Sequence, residues 1–312
     1  MKATRRFGSP KKTNPGHDGF TMVELLAVMV MMAMLAIVLL PALAGTKSDP
    51  RAFQCLNNQR QLILGWQMYA ADNNDLLPAN DFPYLTAYRG AGALTNQMHN
   101  WVVGTMARSL DANSASPPDI AELTDPNTEL SPYVKNYKVY HCPADNYINP
   151  LTGNLNLRSC SMNAAVGTCN WIHYNSPNYP LGSPLPQGWL SGFYSSSLTG
   201  PWLTYGKLSA FTRPGPSKTF VILDENPYSI NDGSIALVAV ATPGNTTLVD
   251  FPSGLHGAAG VISFADGHVI VHKWLDQRTY SPQIFLGRSQ PFPNSPDDPD
   301  CFYLASITSG PR

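Results

Sequence analysis

The sequence predicts an α+β fold in which a long N-terminal helix precedes a loop-rich head built on an antiparallel β-sheet. Residues 20–44 form a nearly unbroken apolar run, which is typical of a helix that lies in a membrane or a protein core. Further along, β-prone runs flank Asp266-Gly267, a dipeptide typical of a hairpin turn. Only 13% of the residues are charged, and the chain has 28 Pro and 24 Gly, so long loop insertions are expected.

Residues 1–19 form a basic head with a charge of +4, whereas the whole chain carries −1. A basic head followed at once by an apolar run is a targeting pattern, and it predicts that the rest of the chain is exported. As a helix, residues 20–44 extend roughly 37 Å, enough to cross a hydrocarbon core of about 30 Å. The small whole-chain charge gives no indication of a nucleic-acid partner.

Glu24 is the single charge within residues 20–44. A carboxylate carried to the centre of a membrane costs roughly 2.5–3.5 kcal/mol, so a charge at this place usually has a function. The distinctive junction, Gly19-Phe20-Thr21-Met22-Val23-Glu24, precedes the apolar run, whereas an ordinary secretory signal is cleaved after it. Both features argue against the simpler interpretation of a plain signal anchor.

This junction resembles that of type IV prepilins and of type II secretion pseudopilins. The resemblance implies that a prepilin peptidase and methyltransferase cleaves between Gly19 and Phe20 and methylates Phe20. It also implies that Glu24, an unpaired charge until then, pairs during assembly with the amine of a neighbouring Phe20. Pro41 lies where many members have a helix-kinking proline. The implied partners are other pilin or pseudopilin subunits, the assembly platform and the lipid bilayer, without nucleic acid.

The resulting organisation has four segments. Residues 1–19 are a leader, 20–44 a transmembrane or filament-core helix, 45–76 the amphipathic second half of the helix with a linker, and 77–312 an extracytoplasmic head. The second helical stretch, about 51–71, is expected to pack on the sheet through Phe53, Leu56, Ile63, Trp66 and Ala70. The resemblance implies a single-pass inner-membrane protein with a periplasmic head, which later joins a periplasmic or cell-surface filament.

More of the chain resembles a large group of bacterial pilin-like proteins, abundant in planctomycete and verrucomicrobial lineages, with a C-terminal His-x9-Asp-Gly motif. Here that motif is His256 followed, after nine residues, by Asp266-Gly267. Other similar segments are 55–62, 69–73, 142–145, 161–163, 224–226 and 229–233. The chain departs from the group at Cys160 and at the aromatic stretch 170–205.

The C-terminal half contains most of the strand candidates. We predict a buried strand over 219–223, a second over 234–240, and a hairpin formed by 260–264 and 269–274. The last thirty residues are rich in Pro and Asp and are predicted to be irregular.

The five cysteines contain no Cys-x-x-Cys pair, so their spacing does not indicate a zinc site. An exported location permits disulfides. Cys55 and Cys142 lie in segments that resemble the pilin-like group, so they are expected to pair and to attach the helix to the head. Cys160 and Cys169 would close a small loop and leave Cys301 over. Four cysteines allow three pairings, so other connectivities stay open.

A set of carboxylates and a histidine near predicted strand ends is a candidate divalent-cation site, formed by Asp224, Glu225, Asp232, His256 and Asp266. Carboxylates suit Ca²⁺, whereas a mixture of histidine and carboxylate suits zinc or manganese. The competing interpretation is structural. In that case Asp266 shapes its turn, His256 bonds nearby backbone, and Asp224 and Glu225 cap or pair locally.

The sequence contains no Gly-x-Ser-x-Gly motif of hydrolases and no His-Glu-x-x-His motif of zinc proteases. It also contains no phosphate-binding loop and no dinucleotide-binding motif, so we expect a non-enzymatic protein.

The aromatic stretch offers a candidate binding surface for glycans or partner proteins at Trp171, Trp189 and Trp202, unless these rings fill a second small core. Two functions are therefore predicted. One is a filament-forming subunit of a type II pseudopilus or type IV pilus, and the other is a membrane-anchored protein that captures polysaccharide or a partner.

Overall fold

A computed structural model of the chain describes residues 21–44, 49–80, 99–102, 106, 121–124, 128–150, 152–169, 180, 182–281 and 296–312. The chain divides into two units, and the boundary lies between Ser48 and Asp49. The predicted processing site at Gly19 and Phe20 lies outside the described residues, as does Trp171.

The first described element is helix α1, Met22–Ala44, which continues through Pro41. Its N-terminus is a capping box formed by Thr21 and Glu24. Glu24 Oε2 accepts hydrogen bonds from the backbone N–H and the hydroxyl of Thr21, both at 2.9 Å, and Glu24 N–H donates to Thr21 Oγ1 at 3.3 Å. These hydrogen bonds orient the carboxylate of Glu24 at the start of the helix.

The apolar side chains of α1 are exposed and are not buried within its own unit. Every side chain from Met22 to Leu35, and that of Ile37, is exposed, and all are apolar except Glu24. The first half of the predicted helix was expected to span a membrane. Among the described residues, no helix has the length and apolarity that crossing a membrane requires.

Helix α2, Pro50–Asp72, confirms the second predicted helix. Asp49 caps it by accepting a hydrogen bond from Arg51 N–H at 3.0 Å, and Pro50 lies in the first turn, where its missing N–H costs nothing. The buried face repeats at spacings of three and four residues: Ala52, Cys55, Gln59, Leu62, Ile63, Gly65, Trp66 and Ala70. Phe53, predicted to face the head, is 62% exposed because it lies about 100° around the helix from Ala52.

The head contains a five-stranded sheet in the order β3-β1-β2-β4-β5. The strands are β1 Cys160–Asn163, β2 Phe220–Asp224, β3 Ser234–Ile235, β4 Ala259–Phe264 and β5 Val269–Lys273. All neighbouring pairs are antiparallel except β1 and β3, so the prediction of a purely antiparallel sheet is wrong at one edge. Strand β3 pairs with the edge of β1 that faces away from β2.

The predicted hairpin is confirmed. Strands β4 and β5 pair from Ala259↔Lys273 to Ser263↔Val269, and Gly267 has φ 94°, which glycine adopts without steric cost. Strand β2 confirms the buried strand predicted at 219–223. The strand predicted at 234–240 is shorter than expected, because only Ser234–Ile235 pairs with the sheet.

Short helices complete the described chain: α3 Ala121–Thr124, α4 Gln277–Tyr280 and α5 Pro299–Thr308, with 3-10 helices at Tyr137–Tyr140, Leu208–Ala210 and Pro216–Lys218. The irregular C-terminus predicted from its Pro and Asp content is wrong at α5. Asp298 caps this helix by accepting from Asp300 N–H at 2.9 Å, and Pro299 lies in its first turn, so the same residues start a helix.

The sheet separates two apolar clusters. One cluster joins Trp66 and Leu62 of α2 to Val261 of β4, and the other joins Leu304 of α5 to Ile262 of β4. Adjacent residues of β4 thus point to opposite faces, as expected of a strand covered on both sides. The packing of α2 on the sheet, predicted from the sequence, is confirmed and carries Cys55 to the end of β2.

Candidate metal centre

Four side chains from distant parts of the sequence meet inside the head. Cys55 lies on the buried face of α2, Cys142 follows the 3-10 helix Tyr137–Tyr140, Asp224 ends β2, and His256 lies shortly before β4. One ligand atom from each residue lies within 4.8 Å of the other three, and all four residues are buried. We call these four residues the Cys-His-Asp cluster.

The distances within the cluster are short. The Cys55 thiol donates to Asp224 Oδ2 at 3.2 Å, and Cys142 Sγ lies 3.2 Å from His256 Nε2. The same imidazole nitrogen lies 3.8 Å from Asp224 Oδ2. The four atoms therefore surround a common centre.

The position of Cys142 is set by a tight turn. The backbone N–H of Cys142 donates to Ser159 Oγ at 3.1 Å, and that hydroxyl donates to Asp145 Oδ2 at 2.7 Å. Asp145 N–H in turn donates to the carbonyl of Cys142 at 2.9 Å. The loop is fixed on both sides of the sulfur, which limits the directions in which the thiol can point.

The carboxylate of Asp224 is held by two donors outside the cluster. Gln59 Nε2 donates to Oδ1 at 2.7 Å, and the backbone N–H of Val261 donates to Oδ2 at 3.1 Å. Gln59 is itself 1% exposed and also donates to the carbonyl of Val261 at 3.0 Å. Helix α2 and strand β4 thus orient the carboxylate together.

His256 is oriented from its other ring nitrogen. Nδ1 lies 3.5 Å from Asp49 Oδ2, and the side chain of His256 is completely buried. The backbone N–H of His256 donates to the carbonyl of Ala259 at 3.2 Å, across a turn in which Gly257 and Ala258 both have positive φ. Asp49 therefore caps α2 and contacts the imidazole at the same time.

The charges of the cluster constrain one another. Contact with the Cys55 thiol and with His256 lowers the pKa of Cys142 to about 5, whereas contact with Cys142 together with burial raises the pKa of Cys55. Burial, with the nearby Cys142, raises the pKa of Asp224 to about 7. Burial opposes a charge on His256, but Cys142 and Asp224 outweigh it and raise the pKa of the imidazole. Two thiols and one carboxylate thus lie beside a single imidazole, which is the one group of the cluster that can carry a positive charge.

Two kinds of chemistry use such residues. Cys142 and His256 have the separation of a nucleophile and its base, but both are buried. Two thiols, an imidazole and a carboxylate are also a donor set for a transition metal, and they do not suit Ca²⁺, which takes oxygen ligands. The arrangement favours metal binding over catalysis.

Of the five residues predicted to bind a cation, Asp224 and His256 belong to the cluster and three do not. Glu225 points away and accepts from Ser229 Oγ at 2.9 Å, and Asp232 accepts from Ser234 N–H at 2.7 Å. Asp266 is exposed and accepts from His268 N–H at 3.1 Å, as expected of an acid that shapes its turn. For these three the structural interpretation fits.

The predicted disulfides are not formed. All five cysteines lie in the described part of the chain as buried thiols, so the predicted pairings of Cys55 with Cys142 and of Cys160 with Cys169 are wrong in this structure. The first pair is nevertheless close in space, because both sulfurs belong to the cluster. Cys160 Sγ instead faces the carbonyl of Tyr140 at 3.6 Å.

The predicted aromatic surface is partly packed. Trp202 donates from its indole N–H to Ser191 Oγ at 3.1 Å and packs against the main core. Trp189 packs against a small cluster of Ala236, Val238 and Val249. Both rings are therefore half-buried and pack against core clusters, whereas Phe193 is 64% exposed.

Asp232 leads to a pH-dependent stability. Burial raises its pKa to about 6 from 3.8, so the folded chain keeps a proton that the unfolded chain loses as the pH rises. The protonated carboxyl contributes fully to the free energy of unfolding below about pH 4. This contribution is lost as the pH rises through about 6, a difference of about 3 kcal/mol. We expect Asp232→Asn, which keeps the acceptor for Ser234, to reduce the loss of stability between pH 4.5 and 7.5. Urea denaturation at both pH values measures this, and equal pH slopes for variant and wild type would contradict it.

Sequence reasoning missed the two cysteines, Gln59 and Asp49 as members or supports of the site. The ligands are separated by 32 to 87 residues, so no local spacing motif marks them. The only available signal was that Cys55, Cys142 and Asp224 each lie in a segment that resembles the pilin-like group, and that His256 opens the C-terminal motif.

No family model, curated protein or solved structure matches this chain.

Proposed function

We propose that this chain is a non-enzymatic, pilin-like subunit that assembles through α1 into a type II pseudopilus or a type IV pilus-like filament. The observation that carries the proposal is the composition of the exposed surface of α1. From Met22 to Leu35 the described side chains are exposed on all sides of the helix and apolar, apart from Glu24 in the first turn.

The apolar surface of such a helix must be shielded from water. A helix that is apolar on all sides is stable only inside a protein core or a membrane, and exposed apolar patches of this size mark association surfaces. We infer that equivalent helices of neighbouring subunits provide this cover, because each α1 offers the same apolar side chains and a single carboxylate. The proposal includes the sequence-based expectation that residues 20–44 hold the precursor in the inner membrane, with the head outside the cytoplasm.

The head supports an assembling subunit better than a capture protein. Trp189 and Trp202, two of the three residues predicted to form a binding surface, contribute to packing. The four residues of the Cys-His-Asp cluster are buried. Display of a stable head on a filament requires neither an open pocket nor a catalytic group.

The test combines processing with assembly. When the chain is co-expressed with a prepilin peptidase and an assembly platform, we expect mass spectrometry to show a mature N-terminus at methylated Phe20. We also expect the chain to sediment with sheared filaments. An uncleaved leader, or a chain that stays in the membrane fraction while filaments form from other subunits, would contradict the proposal.

A further inference from the structure

We propose that the Cys-His-Asp cluster binds one Zn²⁺ ion, which links α2 to the end of β2 and to the loops that carry Cys142 and His256. The site would be structural. This proposal does not depend on filament assembly, because all four ligands lie within the Asp49–Arg312 unit.

The spacing of the ligand atoms fits tetrahedral coordination. Zinc bonds of about 2.0–2.3 Å place neighbouring ligands of a tetrahedron about 3.3–3.8 Å apart. The observed separations are 3.2 Å from Cys142 Sγ to His256 Nε2, 3.2 Å from Cys55 Sγ to Asp224 Oδ2, and 3.8 Å from His256 Nε2 to Asp224 Oδ2. The other three separations are within 4.8 Å, so the four atoms lie close enough together to be drawn onto one ion.

The donor atoms select the metal. Two sulfurs and one imidazole nitrogen favour zinc over Ca²⁺ or Mg²⁺, which bind oxygen. Two thiolates and a carboxylate carry three negative charges, which a divalent cation reduces to one. The calcium alternative raised by the sequence does not fit this cluster.

The surroundings resemble the outer shell of a metal site. His256 Nδ1 faces Asp49 Oδ2, which is the carboxylate–histidine–metal arrangement that fixes a ligating imidazole. Gln59 and the backbone N–H of Val261 hold Asp224, and the backbone N–H of Ala144 donates to the sulfur of Cys142. Each of these donors stabilises a negatively charged ligand.

A structural role follows from burial and connectivity. The four ligands come from a helix, a strand end and two loops, and none is open to solvent, whereas a catalytic zinc keeps a position for water or substrate. The ion would replace the disulfide predicted between Cys55 and Cys142, and it would hold two further segments at the same point.

The experiment uses the full chain, purified in detergent without added metal or reductant. We expect one zinc per chain by mass spectrometry of the metals, with Cys55 and Cys142 as thiols after denaturation. Removal of zinc by a chelator should lower Tm by about 10 °C, and Zn²⁺ but not Ca²⁺ should restore it. A Cys55–Cys142 disulfide in the isolated chain, or a chain that neither contains nor takes up zinc, would overturn the proposal.

Cobalt substitution identifies the ligands. Co²⁺ bound to the wild-type chain should give thiolate-to-cobalt charge-transfer absorption and the visible bands of a tetrahedral site. We expect Cys142→Ser to remove about half of the charge-transfer absorption per bound cobalt, because Cys55 remains a ligand, and to weaken metal binding at least about a hundredfold. The matched control is Cys160→Ser, a buried cysteine next to the site that the proposal leaves unligated; its spectrum should equal that of the wild type. Equal spectra for both variants would overturn the assignment.

Asp49→Asn tests the positioning residue. Asparagine caps a helix as well as aspartate does, so the start of α2 should be preserved. Loss of the carboxylate beside His256 Nδ1 should still weaken zinc binding about ten- to a hundredfold, with unchanged helix content by circular dichroism. Unchanged affinity would contradict the role of Asp49 in holding the ligand, and chelation of the wild-type chain remains the test when a ligand variant fails to fold.

Discussion

Replacement of Glu24 by glutamine is expected to reduce incorporation of the subunit into filaments at least about tenfold. Glutamine can keep the capping-box hydrogen bonds with Thr21, so α1 should still begin at the same place. What it loses is the negative charge that would pair with the amine of a neighbouring Phe20. An amine buried without this partner costs several kcal/mol, and each 1.4 kcal/mol is a factor of about ten in an equilibrium.

The matched control for this prediction is Thr21→Val. Valine removes the hydroxyl that contacts Glu24 and costs about 1 kcal/mol of helix capping, but it leaves the charge in place. We expect this variant to assemble much better than Glu24→Gln when both are quantified in sheared filaments. If the two variants assemble equally poorly, capping and not charge pairing explains the role of Glu24. If Glu24→Gln assembles like the wild type, the pairing hypothesis is wrong.

Replacement of Arg158 by methionine is expected to cost about 3–5 kcal/mol of unfolding free energy. Arg158 is 1% exposed and is the only buried arginine or lysine among the described residues. Its guanidinium donates to the carbonyls of Cys160 and Asp232 and to Ser161 Oγ. It also lies 5.7 Å from the ring centroid of Trp101.

The large effect expected at Arg158 has an electrostatic and a hydrogen-bonding part. Its positive charge lowers the pKa of Glu225 and of Asp232, although burial raises both more strongly. Methionine fills much of the space but leaves two buried carbonyls without this donor and the acids without a cation. Urea denaturation followed by tryptophan fluorescence measures the loss.

A control and a second variant separate these parts. Arg60→Met changes an exposed arginine on α2 and should shift stability by less than about 0.5 kcal/mol. Adding Glu225→Gln to Arg158→Met should recover part of the loss, because it removes one buried acid that has lost its compensating charge. A stability of Arg158→Met within 0.5 kcal/mol of wild type would show that the buried guanidinium contributes little.

Features set by neighbouring residues were predictable from the sequence. The second helix follows from an apolar period of three to four residues that begins after an Asp-Pro pair, and the β4–β5 hairpin follows from Asp266-Gly267 between two β-prone runs. These elements depend on interactions within a few residues, which a sequence displays directly. The same reasoning fails for α5, because the Pro and Asp content of the last thirty residues predicts irregular structure, whereas Asp298 and Pro299 start a helix.

Features that join distant segments were decided by the tertiary structure. Strand β3 pairs in parallel with β1 at one edge of the sheet, a long-range pairing that local sequence does not encode. Asp224 and Glu225 are adjacent in the chain, yet alternation along an extended strand sends one side chain to the metal centre and the other to Ser229.

The Cys-His-Asp cluster shows the same division between local features and features that join distant segments. Local residue patterns alone predict the basic head, the apolar helix with one carboxylate, the amphipathic helix that follows, and the β-hairpin near the C-terminus. Only the packing of α2 on the sheet brought Cys55 to Asp224, and only the loops around Cys142 and His256 completed the cluster. Ligands far apart in the chain meet through the packing of whole elements, and that packing depends on every residue of the core and not on the spacing of the ligands.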